Sequence, residues 1–151
     1  MIRDLTDKEI DAILHEQTYG HLGCFLSAKK PYVVPMTYAY DGQALYCMSS
    51  LGTKIEALRR FPSFCFQVER AREDVWESVM VWGEYEELPG NDAVTAASLL
   101  IERLHTERKP ERSVAFIKWR SQLGEHGTKE AENMYFRLRI LERTGKRMDF
   151  L

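Results

Sequence analysis

Asp41-Gly42, set between two alternating apolar runs, fixes more of this chain's architecture than any other dipeptide in it. A two-residue type I′ turn needs positive φ at both central positions, and Asp-Gly is one of the pairs that accept it. The turn predicts an antiparallel pair, a strand over 32–40 followed by one that begins at Gln43. Pro35 lies inside the first of these. Proline gives no N–H to a ladder, so this strand is expected at a sheet edge or interrupted there, with a simple bulge as the alternative.

The second strand opens the stretch QALYCMSSLGTKIEALRRFP, from Gln43 to Pro62. Ala44 to Met48 alternates as a strand. The chain then turns small and polar at Ser49, Ser50, Gly52 and Thr53. Lys54 follows, and Ile55, Ala57 and Leu58 repeat at helical spacing until Pro62 forces the preceding residue out of the α region. The first N–H groups of a helix are unpaired, and its dipole places partial positive charge there. Hydroxyls and a lysine at that point suit an anionic group such as a phosphate. The spacing matches no Walker-type loop, and an ordinary strand–turn–helix junction with an N-cap reads equally from these residues.

Elsewhere the patterns are local and readable. Thr6-Asp7-Lys8-Glu9 is a capping box that starts a helix to about Gln17, with Ile10, Ile13 and Leu14 on one face. The run 19–28 reads as a buried strand, with a turn at Lys29-Lys30-Pro31. Phe64, Phe66 and Val68 alternate with Cys65 and Gln67 in a further strand, and 70–74 forms a charged connection. The run 75–88 is a long strand with Val79, Val81, Gly83 and Tyr85 on one face and Met80 and Trp82 on the other. Gly83 marks a bulge or a close approach. Asn91 suits an N-cap for a helix whose apolar face is Val94, Ala97, Ile101 and Leu104. The segment 108–127 fits no single element. Met134 to Leu141 alternates as a last strand, and Thr144-Gly145-Lys146 turns away from it, leaving a short basic end.

With 151 residues, 44% hydrophobic and 29% charged, the chain is expected to form one domain over 1–151 with a real core. A net charge of −2 gives no electrostatic case for nucleic acid. Cys24, Cys47 and Cys65 lie in apolar runs, which suits free thiols in a reducing compartment. No apolar run reaches the ~18 residues of a membrane helix, and the N-terminus has no apolar signal core. The expected location is the cytoplasm. His15, His21, His105 and His126 have no metal-ligand spacing, and no Ser/His/Asp or Cys/His grouping suggests hydrolysis, so no metal and no catalytic residue is singled out.

Six or seven hairpin-linked strands with two or three helices predict a mainly β fold, an antiparallel sheet that closes on itself to remove its edges. The strings PYVVPMTYAYDGQALYCMSS, GTKIEALRRFP, FCFQVE, SVMVWGEYEEL and TGK, in this order, give the resemblance. Over 6–146 the chain resembles the FMN-binding split β-barrels, of antiparallel Greek-key type, related to pyridoxamine 5′-phosphate oxidase. Within them it is most similar to the nitroimidazole-resistance (Nim-type) branch.

That resemblance implies FMN as the cofactor, a homodimer with two sites at the subunit interface, and a phosphate side formed by Ser49, Ser50, Thr53 and Lys54. It places Pro35, Met36, Thr37 and Tyr38 along the flavin ring, flanked by Tyr46, Cys47 and Met48. Trp82, Gly83 and residues of 112–120 would come from the second subunit. Many Nim-type proteins carry a histidine where Met48 stands, and a thioether cannot transfer a proton, although it suits contact with a ring. The activity implied is an FMN-dependent oxidoreductase acting on small acceptors, nitro-aromatics among them, with Tyr38 and Trp82 lining the acceptor slot. The alternative is a non-catalytic protein that binds flavin, haem or a deazaflavin, or a dimeric scaffold that has lost its cofactor. Pyridoxamine-phosphate oxidase activity itself fits less well, because it needs several basic groups for the substrate phosphate.

Overall fold

A computed structural model describes residues 1–105 and 133–150. The capping box forms as read: Glu9 N–H donates to Thr6 Oγ1 at 3.2 Å, and Thr6 N–H donates to Glu9 Oε2 at 2.8 Å. It starts α1 (Asp7–Glu16), which buries Ile10, Ile13 and Leu14. A short strand that the sequence does not announce, β1 (Ile2–Asp4), precedes it.

The remaining elements are β2 (Tyr19–Ser27), β3 (Lys30–Thr37), β4 (Ala39–Tyr40), β5 (Ala44–Ser50), α2 (Thr53–Arg60), β6 (Ser63–Arg72), β7 (Val75–Glu87), α3 (Gly90–His105) and β8 (Asn133–Asp149). All strand pairs are antiparallel, in the order β3-β2-β6-β7-β8-β5-β4, with β1 added to β8. β3 and β4 are consecutive in sequence but stand at opposite ends of this path. The chain crosses from one end to the other at Tyr38, so the sheet curls round as a split barrel.

Tyr38 ties the crossing down. Its N–H donates to Thr18 O at 2.9 Å and its hydroxyl to Leu14 O at 2.8 Å. The ring is 0% exposed and meets Phe66 edge-on, with centroids 5.5 Å apart. Pro35 is where an edge strand tolerates it, because among the described residues β3 pairs with β2 alone. The inward faces of the strands, with α1 and α2, form one core around Leu22, Phe66, Val79, Phe136 and Leu138. A smaller cluster of Ala39, Met48 and Leu100 lies beneath α3.

Several local expectations need correction. The hairpin is centred on Gly42-Gln43 and is not type I′: Gly42 alone has positive φ, at 99°. Asp41 instead accepts the N–H groups of Gln43 and Ala44 on Oδ1, both at 2.8 Å, a side-chain turn that asks nothing unusual of its own backbone. The turn before β3 is at Ala28-Lys29, and β6 continues through Arg72, taking most of the supposed connection into the sheet. Thr144-Gly145-Lys146 is strand, paired with β7 and in part with β1, so the basic end is not a solvated tail. Among the described side chains of α3 the buried ones are Ala96 and Leu100, while Val94 is 64% and Ile101 41% exposed; the expectation for Leu104 falls outside them. Asn91 lies within that helix and does not cap it. The expectation for 108–127 falls outside the described residues. Among the described residues no helix is long and apolar enough to cross a membrane.

Candidate functional site

β5 alternates inward at Leu45 and Cys47, and outward at Tyr46, Met48 and Ser50. Its last residues, Ser49 and Ser50, pair with Met134 and Asn133 of β8. The chain then turns through Leu51 and Gly52 into α2. No side chain caps α2, whose first internal bond runs from Glu56 N–H to Gly52 O at 3.0 Å. The stretch is a strand–turn–helix junction with Gly52 at the N-cap and no side-chain cap. Ser49, the nearest buried hydroxyl, donates to Ser50 O at 2.9 Å. Ser50 and Thr53 are exposed, and Gly52 has open space above it.

Lys54 is half-buried in the first turn of α2 and makes no hydrogen bond or ion pair to any described residue. Its charge reaches Cys24 of β2 and Cys47 of β5 and opposes the upward push that burial gives both thiols. Burial wins at each, so these cysteines are neutral apolar side chains and not nucleophiles. An ammonium in partly desolvated surroundings without a carboxylate is costly unless an anion or water completes it. The residues present fit an anionic group: a helix start that no side chain caps, two open hydroxyls and a cation without a partner among the described residues.

The strip on β3 divides by the pleat. Pro35 and Thr37 face outward, whereas Met36 joins the core. Tyr38 is enclosed and cannot line an open slot with its ring, so the expectation that it does so is overturned. Cys47 is fully buried. Met48 faces outward but is covered by α3, against Leu100, Leu99 and Tyr135. Tyr46 donates to Asp41 Oδ2 at 2.9 Å and supports the hairpin.

Trp82 and Gly83 are not brought to this turn within one chain. Trp82 pairs with Glu142 of β8, whereas Ser49 pairs with Met134 of the same strand, about 27 Å further along it. Gly83 allows the close approach of β8: a Cβ there would lie 1.7 Å from Arg139 O. Segment 112–120 lies outside the described residues.

Two features escaped the sequence reading. An open groove of 420 Å³ is lined by Tyr40, Gly42, Gln43 and residues 139–143, none of them expected site residues. There the Tyr40 hydroxyl donates to Asp11 at 2.7 Å and accepts from Arg143 at 3.0 Å. Burial, then the bond to Asp11, pushes that phenol up to about 12. The other is a polar chain on the outer face of β2, β6 and β7, where His21 Nδ1 lies 3.3 Å from Gln67 Oε1 and Gln67 Nε2 donates to Ser78 Oγ at 3.1 Å. Only the period-two alternation of the strands could have hinted at it. Among the described residues no cluster could hold a metal ion.

Barrel and junction together define the class: a split antiparallel barrel with an uncapped cationic turn beside its seam. The chain belongs to the pyridoxamine 5′-phosphate oxidase family, whose model matches residues 6–147. It is 34% identical over 114 residues to an uncharacterised protein of Rhizobium meliloti strain 1021, covering 72% of each. It is similar to the structure of a FAD-binding protein from Mesorhizobium loti, with 31% identity over 99% of both chains and a TM-score of 0.72. A Bacteroides thetaiotaomicron structure, described as a candidate 5-nitroimidazole antibiotic resistance protein, shares 18% identity, 97% of this chain, 87% of its own and a TM-score of 0.75. At that identity the likeness shows the fold.

Proposed function

We propose that the protein binds a flavin, FMN, and serves as an oxidoreductase that passes electrons from a reduced nicotinamide to a small acceptor, with nitro-aromatics and quinones as the first to test. The observation that carries this reading is Lys54, half-buried and without a partner among the described residues, at a start of α2 that no side chain caps. Family membership and the FAD-binding relative from Mesorhizobium loti support a flavin as the anionic ligand. FMN is preferred because one phosphate matches one cationic turn.

When bound, the flavin supplies the electron chemistry. Lys54, the open N–H groups of α2 and the hydroxyls of Ser50 and Thr53 hold the phosphate, with Ser49 shaping the turn. The outward side of Pro35 and Thr37 lies along the ring. The Pro35 C=O and the Thr37 N–H and C=O form the rest of that edge, since the ladder turns the backbone groups of Met36 and Tyr38 toward β2 and, among the described residues, β3 has no second neighbour. Cys47 and Met48 stiffen β5 through their packing. A second copy of the chain completes the site with Trp82, and the exposure of that indole in one chain suits burial in such a dimer.

The test is an absorption spectrum of the freshly purified protein, then chromatography of what heat releases. A flavin spectrum with FMN released supports the reading. Released FAD would keep the flavin and move the phosphate argument. A colourless protein that takes up neither overturns it.

A further inference from the structure

β2 sends Leu22 and Cys24 into the core and carries Tyr19, His21, Gly23 and Phe25 on its outer face. His21 stands opposite Pro35 on β3 and opposite Gln67 on β6. Gln67 in turn stands opposite Met80, two residues from Ser78, its diagonal neighbour. The three polar side chains therefore form a line across the sheet that ends at the outward rim of Pro35 and Thr37.

The line has a direction. Gln67 Nε2 donates to Ser78 Oγ, which turns the amide oxygen toward His21 Nδ1. A carbonyl oxygen at Nδ1 calls for a hydrogen on that nitrogen and, between the two tautomers, selects the one that leaves Nε2 bare. Nε2 is then the acceptor, and no described residue bonds to it. Tyr19 meets the ring edge-on at a centroid distance of 6.4 Å and restricts its rotation. The result is a half-buried imidazole, anchored at one nitrogen and presenting the lone pair of the other beside the free edge strand.

We infer that His21 is a ligand-binding residue of the flavin site. Its Nε2 accepts the hydrogen bond of the flavin's imide N–H, the one N–H of the oxidised ring, while Gln67 and Ser78 are positioning residues that fix the tautomer. This rests on the flavin reading above. α2, which carries Lys54 in its first turn, packs against β2, the strand that carries His21.

The test compares FMN with its N3-methyl analogue, which lacks the imide hydrogen. Dissociation constants come from flavin fluorescence with the full-length protein. The wild type should bind FMN about tenfold more tightly than the analogue, the fold-change of one hydrogen bond. In His21→Leu that preference should fall to near one, and Gln67→Leu should lose part of it. In wild-type protein labelled with ¹⁵N-histidine, the His21 Nε2 resonance should move on adding FMN while that of His15, held by Asp11 and Tyr40 on α1's outer side, stays. Gln67→Leu should show mixed His21 tautomers, which a purely structural role would not produce. If FMN binds but the preference survives His21→Leu and the resonance does not move, the assignment to His21 is overturned and flavin binding stands. If the wild type binds neither compound, both fall.

Discussion

The carbonyl oxygen of Arg139 occupies the place where a side chain at Gly83 would stand, 1.7 Å from an ideal Cβ. The ladder between β7 and β8 shifts register there: Trp82 faces Glu142, Gly83 faces Ile140, and Leu141 is left over. The glycine and the bulge are one device, letting β8 bend over β7 as the barrel curls. Gly83→Ala forces backbone against backbone, with Phe64 closing the other side, and should cost about 3 kcal/mol. Urea denaturation would show it as a lower midpoint at unchanged slope. An unchanged midpoint would mean that the bulge relaxes freely.

Tyr38→Phe separates a structural role from a binding one. The hydroxyl is buried and its partner is Leu14 O, so removing it leaves that carbonyl unsatisfied at a cost of about 1–2 kcal/mol. Its ring faces Phe66, so flavin affinity should not change. A loss of affinity greater than the loss of stability would return Tyr38's side chain to the site.

Glu77 is 2% exposed, accepts from Arg70 Nε at 2.6 Å and lies 3.3 Å from Arg147. Arg70 also holds Glu16 at the end of α1, so this carboxylate fastens the helix to the barrel. Glu77→Gln should destabilise by about 1–3 kcal/mol, since it removes the buried carboxylate that accepts from Arg70, while Arg70 keeps Glu16 and Arg147 keeps Asp149. Glu77→Met with Arg70→Met should recover part of that loss. A double-mutant cycle with no coupling would show that the pair is incidental.

How much of this was legible depended on the range of the interaction. The Thr6 capping box, the alternation of β6 and the bulge at Gly83 are set by residues a few positions apart, and each formed where the sequence placed it. Thr144-Gly145-Lys146 reads locally as a turn, but Gly145 is small for a distant reason. A Cβ there would lie 2.7 Å from Leu5 Cδ1 and 3.0 Å from Ile10 Cγ1, so the glycine lets α1 lie against β8. The buried face of α3 was missed because apolar residues surround the helix and only the position of β5 and β8 chooses among them. The Ser49–Lys54 stretch was legible as the end of a strand, a small polar turn and the start of a helix. The His21–Gln67–Ser78 line was not, since strand pairing alone brings those residues together.

Glu9 gives a pH prediction with a fixed sign. The bidentate bond from Arg3, then the Thr6 N–H, hold its carboxyl down to about 2 from an ordinary 4.5. A depressed folded value stabilises above the unfolded value and loses that contribution as pH falls through the folded one. The start of α1 should hold above pH 4.5 and loosen between there and about 2. Followed by circular dichroism, Glu9→Gln should lower helix content at neutral pH and flatten the acid limb in that window. If the wild type and the variant share one acid limb, other carboxylates govern it.

Lys54 decides between a phosphate site and a coincidence of residue types. A charge-assisted bond to phosphate contributes about 1.5–3 kcal/mol, so Lys54→Met should weaken FMN binding roughly 10- to 100-fold. Riboflavin shares the ring and lacks the phosphate, so its affinity should be the same in wild type and variant. Lys54→Arg keeps the charge and should keep most of the preference for FMN over riboflavin. Raising the salt concentration should narrow that preference in the wild type, because Lys54 is only half-buried and screening reaches it. α2 packs Ile55 and Leu58 into the core on its opposite side, so the fold should tolerate the change. If Lys54→Met still prefers FMN as strongly as the wild type, the phosphate is held elsewhere, and the uncapped start of α2 needs another explanation.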